Sequence, residues 1–312
     1  MFRGIKLIPA NTKIDFMRIH KAALVFFGFI LFASFALFAT KGLKFGIDFD
    51  GGIVIQMRSK QGITIDIADI RAQLAKVGLA ESASIQKIEQ KDDVLIRLPV
   101  IDNKTQDVIV NEVRQILNQQ YDYLGSEFIG PKVGAELVQT AILALIMALL
   151  GICLYIWFRY EWQFGVNAIT TILYDCVTMV GLYSLLGLEF DLNAVAAILT
   201  IAGYSMNDKV VLYDRVKDEM KRYKKMPLVD ILNLSINRTL SRTTMTGGLT
   251  LLSVVALYFF GGKTLESFSL ALMWGIVIGT SSTIYVGTPI LLYMGIRKGQ
   301  AAKADFEVSA PT

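Results

Sequence analysis

Residues 137–158 read LVQTAILALIMALLGICLYIWF, 22 positions without one charged side chain. A helix crossing a bilayer core needs about 20 consecutive apolar residues. This stretch therefore reads as a spanning helix, and the rest of the chain repeats the pattern. Residues 22–40 and 192–207 carry no charge, 162–188 carry Asp175 alone, and 243–262 and 267–296 carry none. The spans are expected at 21–40, 138–158, 164–188, 192–213, 239–260 and 267–293. Of 312 residues, 54% are hydrophobic and only 19% are charged, against about a quarter charged in a soluble domain. The mean hydropathy of +0.50 agrees. Six long apolar runs exclude an ordinary soluble enzyme and a disordered chain. Two cysteines, Cys153 and Cys176, exclude a disulfide framework. They read as small apolar packing residues.

Orientation follows from lysine and arginine near the spans. Arg3, Lys6, Lys13, Arg18 and Lys21 precede the first span, and the segment 214–238 after the fourth holds Arg215, Lys217, Lys221, Arg222, Lys224, Lys225 and Arg238. The opposite side shows only Lys263 in its short loops. Both termini, 1–20 and 294–312, are expected in the cytoplasm, with 214–238 as a basic cytoplasmic loop and 41–137 outside. The first span starts too late for a signal peptide and reads as an uncleaved anchor.

Residues 41–137 switch between strand and helix periods. Ile53, Ile55 and Met57 alternate with Val54, Gln56 and Arg58, which predicts a strand. Ile67, Ile70, Leu74 and Val77 mark a helix over 66–77 that Gly78 ends. Segments 84–89 and 94–98 predict a strand pair turning at 91–93. Residues 105–119 predict a helix with Ile109, Val113, Ile116 and Leu117 inward, and 123–130 a last strand. The order β-α-β-β-α-β is that of the split βαβ, or ferredoxin-like, motif. The expected fold is thus an α-helical polytopic membrane protein with six transmembrane helices and one α+β external domain between the first two.

No phosphate loop, multi-histidine site or nucleophile with its base appears, so no metal, cofactor or enzymatic activity is expected. His20 stands alone and reads as a solvated flank residue. The GxGD, Ser–Lys and HExxH patterns of proteases are absent too. The chemistry belongs where charge is expensive, because an ionisable residue inside a span marks a functional site by default. Asp208 lies in the fourth span and borders a stripe of small and polar residues, Ala196, Thr200, Gly203 and Asn207. Arg242 opens the fifth span at similar depth. Asp208 and Arg242 together form a carboxylate–guanidinium pair that protonation would break, or a static pair that sets helix register. Asp175, midway along the third span, reads either as a second proton station or as a structural polar group.

FGIDFDGG (45–52), IGPKVGAEL (129–137), GYSMNDKVVLYDR (203–215) and SRTTMTGG (241–248) together resemble the SecF family. That family forms the smaller membrane subunit of the bacterial SecD–SecF export complex, within the resistance-nodulation-division (RND) superfamily. The resemblance runs from about 18 to 295. It implies an inner-membrane protein that uses proton-motive force to assist protein export. The implied partners are a SecD-like subunit, the Sec translocon channel, a YajC-like small membrane protein and the unfolded polypeptide emerging in the periplasm, with no nucleic acid. It also implies a proton pathway through Asp208 and Arg242, with Asp175 and Asn207 contributing less. The chain departs from the family pattern at Tyr174, where a histidine is usual, at Lys209, where a small hydroxyl residue is common, and at Asp50, where a threonine is usual. Two other readings remain, an RND-type small-molecule exporter and a passive scaffold of the translocon. The single insertion of 97 residues is small for a drug exporter.

Overall fold

A computed structural model describes residues 12–60, 65–80, 83–88, 92–100, 105–262 and 265–296. Arg3, Lys6 and Lys263, which entered the charge reading above, lie outside them, as do residue 91 of the expected turn and the tail after 296. In chain order the elements are α1 (His20–Lys41), β1 (Lys44–Phe45), α2 (Ile47–Asp50), β2 (Gly52–Ser59), α3 (Ile67–Ala75), β3 (Ser84–Ile88) and β4 (Asp93–Leu98). There follow α4 (Gln106–Leu117), β5 (Tyr121–Ile129), α5 (Pro131–Arg159), α6 (Trp162–Leu186), β6 (Glu189–Phe190), α7 (Leu192–Arg222), α8 (Leu228–Phe260), α9 (Glu266–Ser282) and α10 (Thr288–Tyr293). A π-helical turn, Thr283–Gly287, joins the last two. The chain divides into two compact units. One holds 1–44, 145–188 and 193–312, and the other holds 45–144 and 189–192.

In the first unit and along α5, six helical stretches are long and apolar enough to cross a membrane: Met17–Lys41, Lys132–Arg159, Trp162–Leu186, Leu192–Arg222, Leu228–Phe260 and Glu266–Tyr293. The expected spans all fall on them. Roughly half of the apolar stretch is buried in the third, fourth and sixth, against 17%, 6% and 11% in the first, second and fifth. Phe26, Phe29, Phe32, Leu143, Met147, Leu150, Leu249 and Leu252 are exposed on those outer helices. So large an apolar surface suits lipid and not water.

The segment 214–238 differs from the sequence expectation. The sequence suggests a loop, but α7 runs to Arg222 and α8 begins at Leu228, leaving only a short connection. Buried Glu219 explains the extension. It lies 2.9 Å from Arg215, one turn away on the same helix, and also pairs with Arg238 of α8. The two helices are thereby tied beyond the apolar part of the chain. Asn237 exchanges hydrogen bonds with the backbone of Ile14, and the Met17 N–H donates to Asn233. His20 is also less free than a flank residue, since a ring nitrogen lies 3.1 Å from the Tyr293 hydroxyl. Pro289 has no N–H and its ring crowds the carbonyl four residues back, which accounts for the widened turn before α10.

The second unit carries a four-stranded antiparallel sheet in the order β3-β4-β2-β5. Ile53, Ile55 and Met57 of β2 bury one face with Val94, Ile96 and Leu98 of β4. Ile70 and Leu74 of α3 and Ile109, Val113 and Leu117 of α4 close the core. Ile67, expected inward, is exposed, because it is the first helical residue, immediately after the Asp66 cap. Asp93 is 1% exposed and is held by a two-pronged bond from Arg58, its cross-strand partner, at 2.7 and 3.2 Å. Gly52 sits at φ +140°, and a Cβ there would lie 2.7 Å from the Leu98 carbonyl oxygen. Only glycine allows that approach at the entry to β2. The segment 45–52 thus makes a single helical turn and then enters the sheet.

Candidate functional site within the helical unit

The helical unit buries charge in two places. The first surrounds Asp175. One face of α6 carries Gln163, Asn167, Thr171, Asp175 and Thr178, all buried and spaced at about one turn. Asp175 is 1% exposed, and both of its oxygens are occupied. Ser282 donates to Oδ1 at 2.6 Å. Ser205 of α7 donates to Oδ2 at 2.6 Å, and the Lys209 ammonium donates to the same oxygen at 3.0 Å. Lys209 also donates to Ser205, which stands one turn before it. Ser205 and Lys209 therefore present one face of α7 to α6.

The close fit of α9 belongs to this arrangement. Gly275 and Gly279 form a GxxxG pair within the sixth span. A Cβ at Gly275 would collide with the Ile201 side chain, and one at Gly279 would lie 3.0 Å from Ser205 Oγ and 3.7 Å from Asp175 Oδ2. Small residues at such spacing let two helices touch through their backbones.

The second place is Asp208, next to Lys209 in sequence but turned about 100° around the helix. It is 6% exposed. Thr280 of α9 donates to its carboxylate at 3.3 Å. A cavity of about 10 Å³ adjoins it, lined by Asp208, Thr239, Thr243, Thr280 and Thr283 among others. That is room for about one water. Arg242 of α8 acts on Asp208 through its charge, but no ion pair joins them among the described residues. Arg242 is itself exposed. The predicted Asp208–Arg242 pairing is therefore not closed in this state of the chain. Asn207 is exposed, as are Ala196, Thr200 and Gly203 of the small-residue stripe.

In the sequence, Lys209 stands beside Asp208 as a competitor for it, although adjacent positions on a helix do not face each other. The structure turns it to Asp175 instead. The signals that lead there are present in the chain: Ser205 and Lys209 at i, i+4, and the GxxxG pair on α9. They need the packing of α6 against α7 and α9 to acquire meaning.

Comparison with known proteins gives a consistent result. Residues 109–297 match the family described as protein export membrane protein SecD/SecF, C-terminal, and residues 36–63 match the SecD/SecF GG motif. The protein translocase subunit SecF of Cereibacter sphaeroides is 39% identical over 313 residues, covering 96% of this chain and 95% of that protein. The subunit SecDF of Brucella abortus is 36% identical over 305 residues, covering 97% of this chain but only 40% of that longer protein. The crystal structure of SecDF, a translocon-associated membrane protein from Thermus thermophilus, superposes with a TM-score of 0.83 at 33% identity, over 92% of this chain and 39% of that one.

Proposed function

The chain belongs to the SecD/SecF family of protein export membrane proteins, and from that premise we propose that it is the proton-coupled, non-enzymatic SecF subunit of a Sec export machine. The observation that carries the proton reading is Asp208. A carboxylate in a spanning helix, almost fully buried, is held by one long hydroxyl bond and adjoins a water-sized cavity lined by four threonines and four aliphatic side chains. A bare charge at mid-bilayer costs about 2.5–3.5 kcal/mol on insertion scales. Loose coordination at such a cost suits a group that changes its protonation and its partner. Arg242 supplies the opposite charge on the next helix, with Asn207 close in sequence. Protonating Asp208 would release its attraction for Arg242 and let α8 shift.

A SecD-like subunit completes the machine. Arg242, Asn207 and Thr200 are polar side chains exposed on spanning helices, and such groups seldom face lipid. The relatives named SecDF are more than twice as long as the stretch that this chain matches. A second half on that face covers these residues. The 45–144 unit is read as the ferredoxin-like external domain, a reading supported by its strand–helix alternation and its antiparallel sheet. It lies in the periplasm and meets polypeptide leaving the translocon channel, and a YajC-like protein is a further candidate partner. The passive-scaffold reading makes the opposite forecast for the test below.

The decisive test is export into inverted inner-membrane vesicles with and without a proton gradient, normalised to assembled complex. Asp208→Asn should assemble and lose gradient stimulation. Arg242→Met should fail likewise, and Arg242→Lys should recover only part, since lysine lacks the guanidinium fork. Stimulation equal to wild type in Asp208→Asn would remove the proton assignment. Orientation is tested separately with single cysteines at Lys76 and Lys224, both exposed. A membrane-impermeant thiol reagent on spheroplasts should label position 76 and spare 224, and the reverse pattern inverts the topology.

A further inference from the structure

We infer that Lys209 is a positioning residue whose ion pair with Asp175 clamps α6, α7 and α9 into one body and leaves Asp208 as the carboxylate free to exchange partners. The clamp rests on geometry. Asp175 and Lys209 are each 1% exposed, and their contact at 3.0 Å joins α6 to α7. Ser282, immediately before the π-helical turn, brings the end of α9 to the other carboxylate oxygen at 2.6 Å. Gly279 removes the one side chain that would hold α9 away from Ser205. Three helices thus meet at a single carboxylate, and its charge is matched by the lysine. A buried pair of this kind is costly to break from one side, because the remaining partner is left bare, and cheap to remove from both.

The clamp also divides the work between neighbouring residues of α7. Position 209 turns to α6, and position 208 turns to Thr280 and the cavity between α8 and α9. The groups that surround the two carboxylates are Tyr204, Lys209 and Tyr213 on α7, Tyr174 and Cys176 on α6, and Arg242 on α8; α9 contributes hydroxyls only. Removing the lysine charge alone takes a cation from beside Asp208 and leaves Asp175 unbalanced. Both changes alter the field at Asp208. This pH consequence rests on the proton reading above, whereas the clamp does not.

Four forms of the full chain in nanodiscs test both parts: wild type, Asp175→Asn, Lys209→Met and the double variant. Each single variant should lower the unfolding temperature by several degrees, or fail to accumulate. The double variant should recover most of the loss, since the asparagine carbonyl still accepts from one serine and its amide N–H can donate to the hydroxyl oxygen of the other. Losses that add in the double variant, or a double variant that accumulates no better than the singles, overturn the clamp. Infrared titration of the Asp208 carboxyl band, identified by its absence in Asp208→Asn, reads the second part. Its midpoint should move in Lys209→Met and return towards wild type in the double variant. An unmoved midpoint in Lys209→Met overturns the separation of roles. A wild type without any band sensitive to Asp208→Asn overturns the proton reading, and the recovery of unfolding temperature still decides the clamp.

Discussion

Asp175 and Asp208 are the same chemical group in the same helical unit, and they are held in opposite ways. Asp175 has two serine hydroxyls and an ammonium around it. Asp208 has one threonine hydroxyl at 3.3 Å and a cavity beside it. Burial alone does not tell them apart, since both are largely out of solvent. What separates them is how many donors the packing delivers. A carboxylate whose lone pairs are filled resists any change of partner, and one with spare capacity can take a water or a proton at low cost. The closed site joins the three inner helices, α6, α7 and α9. The open site borders α8, one of the outer helices. On the proton-coupled reading proposed above, α8 is the helix that a change at Asp208 would displace.

The largest effect is expected from breaking the closed site. Asp175→Asn or Lys209→Met should destabilise the helical unit by about 3–5 kcal/mol, as for other buried pairs cut from one side. Unfolding in mild detergent, followed by tryptophan emission, measures it. A loss below about 1 kcal/mol would place the pair with solvent-screened ion pairs and erase the contrast.

A smaller effect is expected from forcing α9 away from the same site. Gly279→Leu must displace Ser205 or Asp175, at a cost of about 1–3 kcal/mol for overpacking. The same unfolding assay applies. Gly151→Leu serves as the neutral comparison, because no atom lies within 4 Å of a Cβ built at Gly151. Equal effects at positions 279 and 151 would contradict the close approach of α7 and α9.

The smallest effect is expected at the open site. Thr280→Val removes the hydroxyl that donates to Asp208 and should cost about 0.5–1.5 kcal/mol, the net worth of an ordinary hydrogen bond. Its functional effect should exceed its effect on stability, and the gradient-dependent export assay reads that difference. If Thr280→Val destabilises as strongly as Lys209→Met, Asp208 is as tightly held as Asp175 and the comparison fails.

Much of this protein is legible in its sequence. The six spans follow from charge-free length, because a bilayer has one thickness and each helix a fixed rise per residue. The core of the second unit follows from periodicity: Ile53, Ile55 and Met57 share a face because strand side chains alternate. The burial of Asp208 and Asp175 follows from the cost of charge in a span. Pairing does not follow. Lys209 and Asp175 are 34 residues apart in the chain, and the local signal, Ser205 one turn before Lys209, does not say which helix the lysine reaches. The continuation of α7 through the basic segment is likewise hidden, since Glu219 stabilises it with a residue of the following helix. Sequence determined which side chains must avoid lipid, since that is a property of each residue and its span. Only the tertiary structure decided which of them meet, because an ion pair between helices depends on rotation, on close approach at Gly275 and Gly279, and on the donors that neighbouring helices bring within about 3 Å.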